Sequence, residues 1–168
     1  MGIAQAMIPE FDHEMANTRK TLERVPDDKF DWKAHEKSFS MGSVASHLSN
    51  LPGWTNIVLG MDQFDMAPGG QPLKTPPCHS SEEVLAAFDK NVAEARKALE
   101  SERDEHIFQN WKLLSNGSEV LAMPRVAVLR GFVMNHIIHH RGQLTVYLRL
   151  NDIPVPALYG PSGDEGAF

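Results

Sequence analysis

Three histidines combine the side-chain type and spacing that could hold a metal ion: His136 and His140, four residues apart, and His47 far earlier in the chain. A neutral imidazole offers one nitrogen lone pair suited to borderline cations such as zinc or nickel. Residues four apart on a helix are neighbours on one face, so His136 and His140 can converge on a point. Such a pair needs a third ligand from elsewhere, and His47 is the natural candidate. Three nitrogen ligands leave coordination positions open to solvent or substrate, the arrangement of a catalytic rather than a closed structural site. With no thiolate or carboxylate in the motif, ligand softness favours zinc or nickel, while iron and manganese stay compatible. Spacing alone equally accommodates a reading in which these are satisfied core histidines.

The surrounding residues divide by position. His139 projects well away from the pair and reads as a surface or interface group, and His13, His35, His79 and His106 read as solvated side chains. Arg141 and Gln143 flank the pair and are candidates for positioning a substrate, with Trp54 a candidate for lining the mouth of the site. Cys78 is the single cysteine, so no intramolecular disulfide is available and the fold must hold by packing. Its place between Pro77 and His79 gives it no evident role. No residue stands out as a general base.

The elements that must position the three histidines follow from periodicity. Phe11, Met15, Leu22 and Val25, with Thr18 in series, predict a first helix over 3–24, stopped by Pro26. A polar connection to Ser38 carries Phe30 and Trp32 as anchors. Ser40 is an N-cap for a second helix whose inward stripe is Met41, Val44, Ala45, Leu48 and Leu51, with His47 at its border. Pro52 should break or kink that helix and leave a carbonyl in need of a partner. Residues 61–79, rich in Pro and Gly, predict a long loop of the kind that often carries function. Ser80 or Ser81 with Glu82 and Glu83 opens a third helix that runs to about Arg103 through Val84, Phe88, Asn91, Ala95 and Leu99. Trp111 to Leu121, with Asn116-Gly117 between two apolar runs, resembles a short hairpin. A last helix over 124–150 has the stripe Val126, Leu129, Val133, Ile137, Leu144 and Tyr147, with His140 inside it and His136 at its edge. Val128, Ile138 and Leu150 lie off this stripe and suggest a second covered face, against a loop or another subunit. The tail from Pro154 should be an irregular strap or loose.

Composition limits what such a chain does. Its 168 residues, 42% hydrophobic and 23% charged, fit one globular domain over 1–168 with a sizeable core. A formal net charge of −6 argues against nucleic-acid binding, which usually shows as a basic face. No apolar run is long enough for a membrane span and no secretory signal is evident, so the expected location is cytoplasmic.

Three segments carry a family resemblance: Ser38-Phe39-Ser40-Met41-Gly42 leading to His47-Leu48, Asn135 to Leu144, and the tail Val155 to Asp164. Together they resemble the DinB-like family of metal-binding bundles, also described as damage-inducible or YfiT-like, over most of the chain. The resemblance implies an all-α four-helix bundle, up-down-down-up with one long connection, frequent dimers, and one divalent ion held by His47, His136 and His140. It does not imply the translesion polymerase that shares the name, for which this chain is too short. Some members of the family are thiol-dependent S-transferases or isomerases that use low-molecular-weight thiols, and many have no established reaction. The leading expectation is therefore a metal-dependent thiol S-transferase-like enzyme acting on a small-molecule substrate as a homodimer. A metal-dependent hydrolase and a non-catalytic, dimeric, stress-related metal-binding protein are the alternatives.

Overall fold

The computed structural model describes residues 2–75 and 77–166. Helix α1 spans Ile3–Leu22 and buries Phe11, Met15, Thr18 and Leu22, the stripe expected from spacing. Pro26 and a short 3-10 turn at Asp27–Lys29 end it. The connection that follows is tied to the next helix by main-chain bonds from Met41 N–H to the Trp32 carbonyl (2.8 Å) and from Gly42 N–H to the Phe30 carbonyl (2.9 Å). A Cβ at Gly42 would stand 2.4 Å from the Phe30 ring, so a side chain there would push the loop off the helix. Phe30 and Trp32 pack against the core as anchors.

Helix α2, Met41–Asn50, is capped by Ser40, whose Oγ accepts from Ser43 N–H at 3.2 Å. Pro52 does break the pattern: a 3-10 turn at Leu51–Gly53 separates α2 from α3, Trp54–Gly60. Carbonyls at the break take side-chain partners, Ser49 C=O from Asn91 Nδ2 (2.8 Å) and Ser46 C=O from Ser49 Oγ (2.8 Å) and Asn50 Nδ2 (2.7 Å). Helix α4, Ser81–Ser101, starts at Ser80, whose Oγ accepts from Glu83 N–H. A short α5, Asp104–Ile107, leads to the hairpin. The last helical segment opens with α6, Arg125–Val128, widens to a π-helical turn over Leu129–Met134 and continues as α7, Asn135–Leu150. Helix α4 packs on α1, α2 and α3, while α7 packs on α1 and α2.

The expectation of an all-α bundle is corrected by a three-stranded sheet. Strands β2, Asn110–Ser115, and β3, Ser118–Pro124, form the expected antiparallel hairpin, with Asn116 and Gly117 at φ 50° and 74° as a two-residue turn demands. The long loop supplies a further strand, β1, Gln63–Asp65, parallel to β2 in the order β1-β2-β3. Asp65 reaches past the pairing, its carboxylate accepting from Asn116 N–H (3.0 Å), Gly117 N–H (2.8 Å) and Ala67 N–H (2.9 Å). These backbone donors, Ala67 first, hold its pKa below the usual carboxylate range. Trp111 and Leu113 of β2 join the same hydrophobic core as the helices. Arg125, fully buried, ties sheet and bundle through Val58 C=O (3.0 Å), Asn110 C=O (3.3 Å) and Asp62 (2.7 Å).

The tail is an ordered strap. Asp164 pairs with Arg149 and accepts from Val155 N–H (2.8 Å), and Glu165 pairs with Arg24 (2.6 Å). Tyr159 donates to Glu14, which with Arg141 forms a buried ion pair at 2.7 Å. Residues 167–168, the end of the expected tail, lie outside the described residues.

Candidate metal centre

The break at Pro52 and the π-helical turn bracket the place where α2 meets α7, and there the three histidines gather. His47 stands on the face of α2 adjoining the buried stripe of Val44, Ala45 and Leu48, and His136 and His140 stand one turn apart on α7. Their rings form a near-equilateral triangle, with centroid separations of 4.9 Å (His47–His136), 4.7 Å (His47–His140) and 4.8 Å (His136–His140). One ligating atom from each lies within 4.8 Å of the others. His47 Nε2 and His136 Nε2 are 3.2 Å apart. Two nitrogens bound at ~2.0–2.1 Å to one tetrahedral ion would be separated by about 3.3 Å, so this pair fits a shared ion with little adjustment.

The electrostatics fit a cation as well. Desolvation, reinforced by His140 and His136, lowers the His47 pKa to about 4. His136 is lowered too, first by desolvation and then by His140 and His139, with a hydrogen bond to the Phe132 backbone opposing the shift. Both rings are therefore neutral near pH 7, with lone pairs free for coordination. Ligands in this state need no proton displaced at neutral pH.

Phe132 belongs to the π-helical turn, and its side chain packs edge-on against the His136 ring at 5.7 Å. Single π turns recur in helices near functional sites, and this one immediately precedes the ligand pair.

A cleft of ≈ 310 Å³ opens beside His47 and His140. Its wall comes from α2 (Ser43, Val44, Ser46, Asn50), from Phe39 before the cap, and from Thr75 and Pro77 of the long loop. The sequence reading missed these residues. A signal existed in Ser43, Ser46, His47 and Asn50, which recur at helical spacing as a polar face beside His47. The loop is held against α2 through Cys78, whose N–H donates to Ser46 Oγ at 3.1 Å. Cys78 thus fixes the cleft wall through its backbone, and its thiol is free.

The weaker site candidates fall elsewhere. Arg141 turns from the cleft into the bundle, donating to Glu14 C=O (3.0 Å) and Thr18 Oγ1 (3.2 Å) beside its pairing with the Glu14 carboxylate. Gln143 does not line the cleft itself but contacts His140, which does, its Oε1 2.9 Å from His140 Nδ1. Trp54 packs against Phe64 and Phe132, one ring removed from His136. His139 is exposed and outside the triangle, although its ring lies 4.8 Å from that of His140. His13, His35 and His79 are exposed as expected. His106 is not a free solvated group: its Nδ1 is 2.9 Å from Glu102.

Comparison with known proteins agrees with this architecture. The chain is 26% identical over 161 residues to the uncharacterized protein YrdA of Bacillus subtilis (strain 168), covering 95% of this chain and 90% of that protein. A crystal structure of a DinB-like protein from Bacillus cereus ATCC 10987 superposes with a TM-score of 0.72 at 21% identity, over 92% of this chain and 97% of the other. A second, the DinB-like protein YjoA of Bacillus subtilis, gives 0.67 at 18% identity over 90% and 96%. At these identities the two structures establish the fold. The family profile itself matches residues 4–167, and the chain belongs to the DinB family.

Proposed function

We propose that His47, His136 and His140 hold one divalent transition-metal ion, zinc or nickel, and that the protein is a metal-dependent enzyme that transfers a small thiol to an electrophile. The observation that carries this reading is the cleft, which reaches two of the three histidines and so gives a substrate access to the ion. When bound, the ion would supply Lewis acidity, lowering the pKa of a thiol brought to it. The protein's own part is to keep three imidazoles converging and to offer the substrate both hydroxyl and amide groups (Ser43, Ser46, Asn50, Thr75) and the apolar side chains of Phe39, Val44 and Pro77. Phe39 is 69% exposed at the mouth, where its ring can close over an apolar group.

Hydrolysis is the competing use of such a site, and it ordinarily calls for a carboxylate or similar base to draw a proton from water. Among the described residues the cleft is lined by no Asp, Glu or Lys, which favours a nucleophile that ionises easily, as a thiol does. The test is turnover by metal-loaded protein of an electrophile panel with and without low-molecular-weight thiols. Conjugation that depends on both thiol and metal supports the proposal. Ester or amide cleavage without thiol supports the hydrolase, and no turnover of either kind supports a binding role. For that last reading, and for a dimer, the relevant surface is on α7, where Val146 (56% exposed) and Leu150 (59%) form an apolar pair one turn apart.

A further inference from the structure

A chain of three hydrogen bonds runs from the His140 imidazole to a backbone carbonyl. His140 Nδ1 lies 2.9 Å from Gln143 Oε1, Gln143 Nε2 lies 3.2 Å from the Tyr147 hydroxyl, and that hydroxyl lies 3.2 Å from the carbonyl of Phe39. The direction of every bond follows from its last member. A backbone carbonyl can only accept, so the single Tyr147 proton is donated to Phe39. The Tyr147 oxygen must then accept, which places the NH₂ of Gln143 towards it and the amide oxygen towards His140. An amide oxygen also only accepts, so His140 Nδ1 carries the proton. Its Nε2 is left with a bare lone pair.

We infer that Gln143 and Tyr147 are positioning residues that lock His140 as its Nδ1–H tautomer and so set the affinity of the metal site without touching the ion. The inference rests on the three-histidine reading proposed above. It gives Gln143 a role other than contact with substrate. The relay is well placed to persist: Tyr147 is 4% exposed and Trp32 packs edge-on against its ring at 5.3 Å. It also joins both halves of the site, because Phe39 directly precedes Ser40, the cap of the helix that carries His47. Hydrogen bonds to the far nitrogen of a ligating histidine raise its basicity and fix its ring, and their loss typically costs 10–100-fold in metal affinity.

The relay is tested first in metal-free wild-type protein, by long-range ¹H–¹⁵N correlation of the His140 ring. The expected result is protonated Nδ1 and unprotonated Nε2 at neutral pH. The opposite tautomer would overturn the inference, whatever the metal content of the protein. The second arm measures affinity for zinc alone, by competition with a chromophoric chelator, in wild type, Gln143→Leu, Gln143→Glu and Tyr147→Phe. Gln143→Leu should lose 10–100-fold. Gln143→Glu, which can only accept from Nδ1, should equal or exceed wild type. Tyr147→Phe removes the hydroxyl oxygen that accepts from the Gln143 amide and fixes its orientation, and should fall between Gln143→Leu and wild type. Gln143→Leu that binds zinc within about threefold of wild type, with an unchanged thermal midpoint, would contradict the inference. Failure of wild type to bind zinc would remove the metal reading alone, leaving the tautomer result to stand or fall by itself.

Discussion

The triangle of imidazoles makes its own demand on protonation. A histidine whose folded pKa is lowered contributes stability above its unfolded value and loses it as pH falls towards the folded value. For His47 that window runs from 6.5 down to about 4. Metal-free protein should therefore show a falling urea midpoint between pH 7 and pH 4.5, with a smaller fall in His47→Gln; an equal fall in both would show that His47 is not the titrating group. Zinc-loaded protein should lose its ion over the acidic end of the same range, since protons compete for the lone pairs. Arg141 makes a different kind of residue-scale claim. It pairs with Glu14 at 2.7 Å with both side chains buried, so Arg141→Ala leaves a carboxylate uncompensated and should cost about 3–5 kcal/mol by chemical denaturation. Any of this variant that folds should still bind one equivalent of zinc. A stable Arg141→Ala that no longer binds metal would instead place Arg141 in the site.

At the scale of elements, α2 and α7 matter most, and they were legible in the sequence to different degrees. The stripe of α2, its Ser40 cap and the break at Pro52 could all be read from residue types, because capping and the missing proline N–H are local effects. Ser40→Ala should accordingly cost ~1 kcal/mol in stability and weaken zinc binding modestly, by loosening the first turn before His47; a loss of stability with unchanged zinc affinity would show that the cap does not help set the ligand. The pairing of His136 with His140 was legible because helical spacing is periodic. The strand Gln63–Asp65 was not, being three residues long in a segment dominated by Pro and Gly. Its pairing depends on Asp65 reaching the Asn116-Gly117 turn, a contact between positions far apart in sequence. Asp65→Ala should lower the thermal midpoint of the protein by removing three backbone partners from one side chain, without altering metal stoichiometry. The cleft was equally out of reach, since Thr75 and Pro77 come to α2 only when the loop folds back.

The whole molecule joins the histidines through a single core. Helices α1 and α4 carry none of the three histidines, yet α4 packs on α2, α1 packs on α7, and α1 and α4 pack on each other, which holds the two ligand-bearing helices together. The sheet extends the same core through Trp111 and Leu113, and the strap crosses to α1 at Glu14. No helix among the described residues is long and apolar enough to cross a membrane. Whether this framework presents His47, His136 and His140 to one ion can be read by elemental mass spectrometry. Protein purified without an affinity tag would be compared with His136→Ala, His140→Ala and, as control, His139→Ala. About one equivalent of zinc or nickel is expected in wild type and in His139→Ala, and its loss in the other two. Folded wild type that takes up no transition metal even after supplementation, or His136→Ala and His140→Ala that retain a full equivalent, would contradict it.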